Sequence, residues 1–316
     1  MPTGLVYDPI YLAHKTGNHP ERPERVSETM RRFEATGLLG RLRLIKPRAA
    51  TLEELLMVHG EEMVEAVFAE CDSGGGFMDM DTPVSSRSGE AALKAVGGLF
   101  EAADRILAGE VDNAMALVRP PGHHATPTQS MGFCLFNNVA LCARHLQKRH
   151  GLERILIVDW DVHHGNGTQE IFYDDPTVLY FSTHRYPFYP GTGSAEETGT
   201  GRGKGFTINR PMASDVKADE FMRRFREVIE GPAADFRPEF VLISAGFDGY
   251  VGDPLGAFCL DAPEFAEMTR LVKALADGSA KGRILSALEG GYDLSALPSL
   301  IEVHVKALMG EGEAKR

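Results

Sequence analysis

The chain has 316 residues, 43% of them hydrophobic and 25% charged, a composition that excludes disorder as its main state and fits one large α/β domain over 1–316. Lys and Arg number 33 against 45 Asp and Glu, so the formal charge of −12 argues against a broad nucleic-acid or anionic-membrane footprint. Four sparse cysteines (Cys71, Cys134, Cys142, Cys259) form no CxxC pair, no basic n-region precedes an apolar run at the N-terminus, and no apolar stretch nears the ~20 residues of a bilayer span; the expectation is a cytoplasmic protein with no membrane segment.

In chain order, an apolar run at 4–7 (GLVY) predicts a first strand, and 51–70 predicts a helix opened by Thr51 and Glu54 at capping-box spacing. The glycines of 73–76 (SGGG) read as a surface loop. A helix is expected over 88–108, a strand over 114–118 (AMALV), a helix over 135–149, and strands over 155–160 (ILIVDW) and 177–182 (TVLYFS). The second glycine cluster, 198–205 (TGTGRGKG), fits no phosphate-loop pattern and reads as a loop. Helices over 215–230, 262–277 and 294–309 flank strands over 239–246 (EFVLISAG) and 282–291 (GRILSALEGG), and the charged tail 310–316 is expected to fray. The strands are continuously apolar rather than alternating, as strands covered on both faces are, so the alternation predicts a doubly wound, mostly parallel sheet.

Four segments place polar or ionisable residues directly after an apolar strand: RPPGHH (119–124), DWDVHHGNG (159–167), SAGFDGYVGDP (244–254) and LEGGYD (288–293). In open α/β sheets sites form at carboxyl ends of strands, so the four predict one shared cleft. In an extended DWDVH, Asp159, Asp161 and His163 face one way, a carboxylate–imidazole grouping suited to a metal, with Asp248 as a natural third ligand. Two carboxylates and an imidazole, without thiolate, suit Zn²⁺ or another first-row dication and leave a position open to water. Gly165 stands two after His163, and no acid follows Asp248 before Asp253, which favours one catalytic ion over two. A turn after Gly122 would swing both His123 and His124 into the cleft as acid–base groups, with Asp159 and Asn166 as candidate partners for their far ring nitrogens. Tyr292, after two glycines, can donate to a carbonyl oxygen developing charge.

These segments, with HPERPERV (19–26) and GFCLFNN (132–138), resemble the zinc-dependent histone deacetylase superfamily, which includes acetylpolyamine amidohydrolases and bacterial deacetylase-like proteins. FSTHR (181–185) and Asn166, where class I members carry Asp, are more similar to the class II branch. The resemblance implies a single-domain arginase–deacetylase fold. It implies Asp161, His163 and Asp248 as zinc ligands, His123 and His124 backed by Asp159 and Asn166, and Tyr292 as the carbonyl-polarising hydroxyl. It further implies an aromatic tunnel of Phe133 and Tyr189 flanked by Gly132, an inner-channel arginine at Arg25, and Asp81 near where some members hold substrate backbone. One or two structural K⁺ ions are implied, one at Asp159, Asp161, His163, Ser182 and Thr183, with backbone carbonyls completing the set.

The implied activity is removal of acetyl or related acyl groups from lysine-like side-chain amines; deacetylation of acetylpolyamines or other small amides is the alternative. The substrate would be an acetylated lysine peptide or a small-molecule amide. Polyamine-preferring relatives carry a glutamate after GDP in the segment following the zinc aspartate, and here that position is Leu255, which favours a lysine context.

Overall fold

In the computed structural model, which describes residues 2–311, the chain alternates strand and helix almost throughout. The elements are β1 (Gly4–Val6), α1 (Glu24–Ala35), β2 (Arg43–Ile45), α2 (Leu52–Leu55), α3 (Glu61–Asp72), β3 (Gly75–Phe77), β4 (Pro83–Ser85), α4 (Ser88–Leu107), β5 (Asn113–Ala116) and α5 (Asn138–His150). They continue with β6 (Ile155–Asp159), α6 (Asn166–Phe172), β7 (Val178–Arg185), β8 (Thr207–Met212), α7 (Ala218–Glu230), α8 (Pro232–Phe236), β9 (Phe240–Ala245), α9 (Ala262–Ser279), β10 (Ile284–Leu288) and α10 (Leu297–Leu308). No helix among the described residues is long and apolar enough to cross a membrane.

Eight strands form one sheet in the order β2-β1-β5-β10-β9-β6-β7-β8, and every neighbouring pair is parallel. The continuous apolar runs follow from burial of both faces. Along β6, Ile155 and Ile157 join a core with Leu99 of α4 and Leu141 of α5. Leu156 and Val158 join the opposite core with Phe225 of α7, Val272 of α9 and Ile301 of α10. The chain runs outward through β6, β7 and β8, then returns to insert β9 and β10 between β6 and β5. The four strands followed by the polar motifs are therefore adjacent at the centre of the sheet.

Several elements depart from the expectations. The helix expected over 51–70 is two helices: Thr51 and Glu54 close the capping box of α2, but the chain turns at 56–60 and Gly60 begins α3. That break lets His59 accept from the Asn137 N–H through Nε2 at 2.9 Å while its Nδ1 meets the Thr126 carbonyl at 2.9 Å. The glycines expected to lie in a loop at 73–76 instead enter an antiparallel hairpin of β3 and β4. Helix α1 is unanticipated although Val26, Met30 and Phe33 carry its buried stripe. Edge strands β2 and β8 were likewise not expected; only their termini or alternate residues are buried. In the tail, Glu311 pairs with Arg41, and 312–316 lie outside the described residues.

A buried ion cluster ties the N-terminal segment to the strand end that carries the paired histidines. Glu21, 1% exposed, receives Arg119 through both carboxylate oxygens and Arg25 at 3.1 Å, while Arg119 Nη1 also donates to the carbonyls of Tyr11 (2.7 Å) and His14 (3.0 Å). Burial alone would raise the Glu21 carboxyl, but Arg119 and His14 hold it well below the usual carboxylate range. Glu21→Ala would strand two buried guanidiniums, a class of change that costs about 3–5 kcal/mol. Because the folded-state pKa is depressed, this contribution is full above ~4.3 and fades as pH falls through the folded value. Urea denaturation of both proteins at pH 7 and at stepwise lower pH checks it. A deficit under about 1 kcal/mol at pH 7, or one that grows on acidification, would contradict the assignment.

Candidate active site

All four polar motifs leave the carboxyl ends of the central strands and converge. After β6 the chain stops being extended, so the shared face expected for Asp159, Asp161 and His163 divides. Asp159 turns to His123, and Asp161 turns to His163. His163 Nδ1 lies 3.0 Å from Asp161 Oδ1 and 3.1 Å from Asp248 Oδ2, and ligand atoms of the three residues all fall within 4.8 Å of one another.

Backbone amides fix both acids: Gly290 N–H donates to Asp161 Oδ2 at 2.8 Å and Val162 N–H to Asp248 Oδ1 at 3.0 Å. Two glycines make the room. A Cβ on Gly290 would stand 2.1 Å from Asp248 Oδ2, and one on Gly246 would stand 2.2 Å from Asp161 Oδ2. Two buried carboxylates on one imidazole nitrogen, in a cradle only glycine leaves open, fit a first-row dication.

The electrostatics follow from that crowding. Burial would lower His163, but hydrogen bonds to Asp161 and Asp248 carry it up to about 10. Burial, then the neighbouring Asp161 charge, pushes Asp248 up to about 7. Against its burial, His123 and His163 hold Asp161 well below its ordinary value, so the two acids are pushed apart, as paired groups at functional sites commonly are. His123 Nδ1 meets Asp159 Oδ2 at 3.1 Å, and His124 Nδ1 meets Asn166 Oδ1 at 2.8 Å. The two rings lie 4.0 Å apart and diverge electrically. Burial opposes protonation of His123, yet Asp159, Asp161 and Glu289 raise it to about 10; burial, then His123 and His163, hold His124 well below its ordinary value.

A cavity of about 230 Å³ opens above these groups, and Gly132, Phe133, Tyr189, Leu255, Asp81, Tyr292 and both histidines of the pair line it. Phe133 takes a positive φ of 69° that presents its ring edge-on to Tyr292 at 5.9 Å, while Tyr189 meets His124 edge-on at 5.1 Å. A Cβ at Gly132 would collide with His124 at 2.5 Å. Arg25, fully buried, lies over the Tyr292 ring at 5.0 Å and donates to the Gly291 carbonyl at 2.6 Å. In the sheet, Asp159 stands in register with Ser182 of β7; Ser182 Oγ is paired with His184 at 2.8 Å, and the buried Thr183 hydroxyl has no partner.

Four contributors escaped the sequence reading. Phe188 stacks on His163 at 5.1 Å, and Cys134 lines the cavity floor. Glu289, buried and pushed by that burial up to about 7, accepts from Gly122 N–H at 2.7 Å and Ser244 Oγ at 3.0 Å, holding the turn before the histidines. Asp253 accepts from the Tyr292 N–H at 2.7 Å and the Leu255 N–H at 2.9 Å, joining the tyrosine to the rim. Glu289 and Asp253 sit inside the quoted motifs, so their positions were visible and only their partners were not.

A parallel α/β sheet with this cluster at its carboxyl edge has the make-up of a metal-assisted hydrolase site. The histone deacetylase domain model matches residues 19–308. A probable deacetylase of Archaeoglobus fulgidus is 45% identical over 303 residues, covering 94% of this chain and 84% of that protein. Human histone deacetylase 9 is 40% identical over 98% of this chain, and human histone deacetylase 7 is 38% identical over the same share; the chain spans only 34% and 36% of their lengths. The crystal structure of the HDA15 HD domain superposes with a TM-score of 0.93 at 40% identity, covering all of this chain and 90% of that one. The chain belongs to the histone deacetylase family. It is accordingly a hydrolase acting on amides, in a family that is generally metal-dependent.

Proposed function

We propose that the protein is a zinc-dependent deacetylase acting on acetylated lysine-like side chains. The observation that carries this reading is the convergence of Asp161 and Asp248 on His163 beside a cavity lined by His163, Tyr292 and two histidines whose Nδ1 atoms meet Asp159 and Asn166. A dication held by those three would polarise the amide carbonyl and bring a water's pKa toward ~7. The chain's own groups do the rest. Phe133 and Tyr189, flanked by Gly132, hold the aliphatic stem. Tyr292 donates to the carbonyl oxygen as charge develops. His124, neutral and held by Asn166, takes the proton of the attacking water and returns it to the leaving amine, giving acetate and free amine. His123, kept charged by Asp159, stabilises the tetrahedral centre. Structural K⁺ beside the Asp159, Asp161 and Ser182 side chains, with the carbonyls of His163 and Thr183 completing the set, is supported by the strand register that sets Asp159 beside Ser182. Four unpaired cysteines support a reducing, cytoplasmic setting.

Turnover of a fluorogenic acetyl-lysine with and without a chelator tests the reaction class; undiminished turnover under chelation would sink it. The histidines separate the roles. Loss of the proton carrier should exceed loss of a charge stabiliser, so His124→Ala is expected to reduce kcat more than His123→Ala. Equal, near-normal rates in both would remove the acid–base scheme.

Substrate choice rests on the rim. Leu255 is 37% exposed at the cavity mouth and cannot pair with a distal ammonium, so acetyl-lysine in a peptide or small-molecule context is expected to be preferred over acetylspermidine. Leu255→Glu should move the kcat/KM ratio toward the polyamine by roughly tenfold or less, the effect of ~1 kcal/mol from one rim charge pair. Kinetics of both substrates on both proteins decide it. If the ratio does not move, the selector lies elsewhere, with Asp81, which lines the same cavity, next to be substituted.

A further inference from the structure

A second group of metal-ligating side chains lies on the helical layer, and none of its members lines the catalytic cavity. His145 and His150 of α5 both aim Nε2 at one oxygen of Asp104 on α4, at 2.8 and 2.7 Å. Their ligand atoms all fall within 4.8 Å of one another. The pattern repeats, with two imidazoles and one carboxylate, the close convergence seen at Asp161, His163 and Asp248. We propose that Asp104, His145 and His150 form a second site for a first-row transition dication such as Ni²⁺ or Zn²⁺, clamping α4 to α5.

Three further observations support a cation there. The site sits at the carboxyl ends of both helices, since α4 ends at Leu107 and α5 at His150, so two helix dipoles present their negative ends to it. The His145 ring is fixed in place: it is 4% exposed and stacks on Phe100 with centroids 4.3 Å apart and planes 5° from parallel. The approach is open, because the His150 and Asp104 side chains are 26% and 28% exposed and leave positions for water. Arg149 competes for the second Asp104 oxygen from 3.7 Å, but its side chain is 66% exposed and can swing into solvent without desolvating anything. An imidazole-rich set with a single carboxylate favours Ni²⁺, Cu²⁺ and Zn²⁺ over Mg²⁺, Ca²⁺ and Mn²⁺.

The test is equilibrium dialysis of the enzyme, isolated with its resident metal, against Ni²⁺, followed by elemental analysis of total metal per chain. Because His145 is buried against Phe100, the decisive variants are the exposed His150→Gln and Asp104→Asn. Wild type should gain one equivalent, and each variant should lose it. Losing an outer-shell partner already costs 10–100-fold in metal affinity, so losing a ligand should weaken Ni²⁺ by at least about 100-fold. Ni²⁺ should also raise the Tm of wild type and not of His150→Gln, while His150→Gln keeps its deacetylase turnover. No added equivalent in wild type, or an added equivalent that survives both substitutions, would overturn the proposal and leave Asp104 as a plain hydrogen-bond acceptor between two imidazoles.

Discussion

Asp248→Ala is expected to abolish turnover and to lower the metal bound at the catalytic floor. The side chain is fully buried, its Oδ2 lies 3.1 Å from His163 Nδ1, and its Oδ1 accepts from the Val162 N–H. Removing it leaves two of three ligands and an unpaired amide in the loop that carries His163. Asp161→Ala and His163→Ala should behave alike, since each leaves a two-ligand site. Asp248→Asn is the sharper variant. It preserves shape and the Val162 bond but removes the charge, and a cation between two acids depends on both. Perturbing even an outer-shell partner costs 10–100-fold in metal affinity or activity, so losing a ligand should cost more. Metal per chain and kcat, measured on the same preparations, test this. A variant with full metal content and near-normal kcat would show that another set of residues holds the ion.

Tyr292→Phe should lower kcat by ~10²–10³, the usual effect of deleting one donor to a developing oxyanion. Tyr292 is 9% exposed and lines the cavity, while burial, then the Asp248 charge, keeps its hydroxyl protonated by pushing its pKa well above the ordinary value. The ring's supports survive the change: Arg25 over its face, Phe133 at its edge, and the Asp253 carboxylate on its backbone amide. The variant should therefore unfold at nearly the wild-type temperature, which separates a lost hydrogen bond from a lost fold. Because the bond strengthens only as charge develops, KM should change little. A kcat within a few-fold of wild type would reduce Tyr292 to a wall residue.

The order β5, β10, β9, β6 explains how much of this site could be anticipated. Each strand-end motif announces its chemistry locally: an apolar run says that a strand is buried on both faces, and the polar residues after it mark the carboxyl edge where ligands bind. That rule placed Asp161, His163, Asp248, the histidine pair and Tyr292 on one edge of the sheet without knowledge of strand order, because parallel strands point those ends the same way; the order β5, β10, β9, β6 then makes them neighbours. The partners of His123 and His124 were legible for the same reason, since Asp159 closes β6 and Asn166 opens α6 just beyond it.

Tertiary structure decided what connects residues distant in sequence. Glu21 meets Arg119 across 98 positions and Arg25 reaches Gly291 across 266, and nothing in the local pattern of either segment marks the other. Asp253 sits in a quoted motif, yet its task of holding Tyr292 depends on β9 and β10 being neighbours. The hairpin of β3 and β4 and the break between α2 and α3 went unseen because hydrophobic period reports burial along a segment, whereas the break is set by contacts of Gly60 and His59 with 126–137 and the hairpin by pairing of Gly75–Phe77 with Pro83–Ser85. Chemistry concentrated at strand ends was written in short contiguous motifs; the supports that hold those motifs in place arise from strand order, which no single segment encodes.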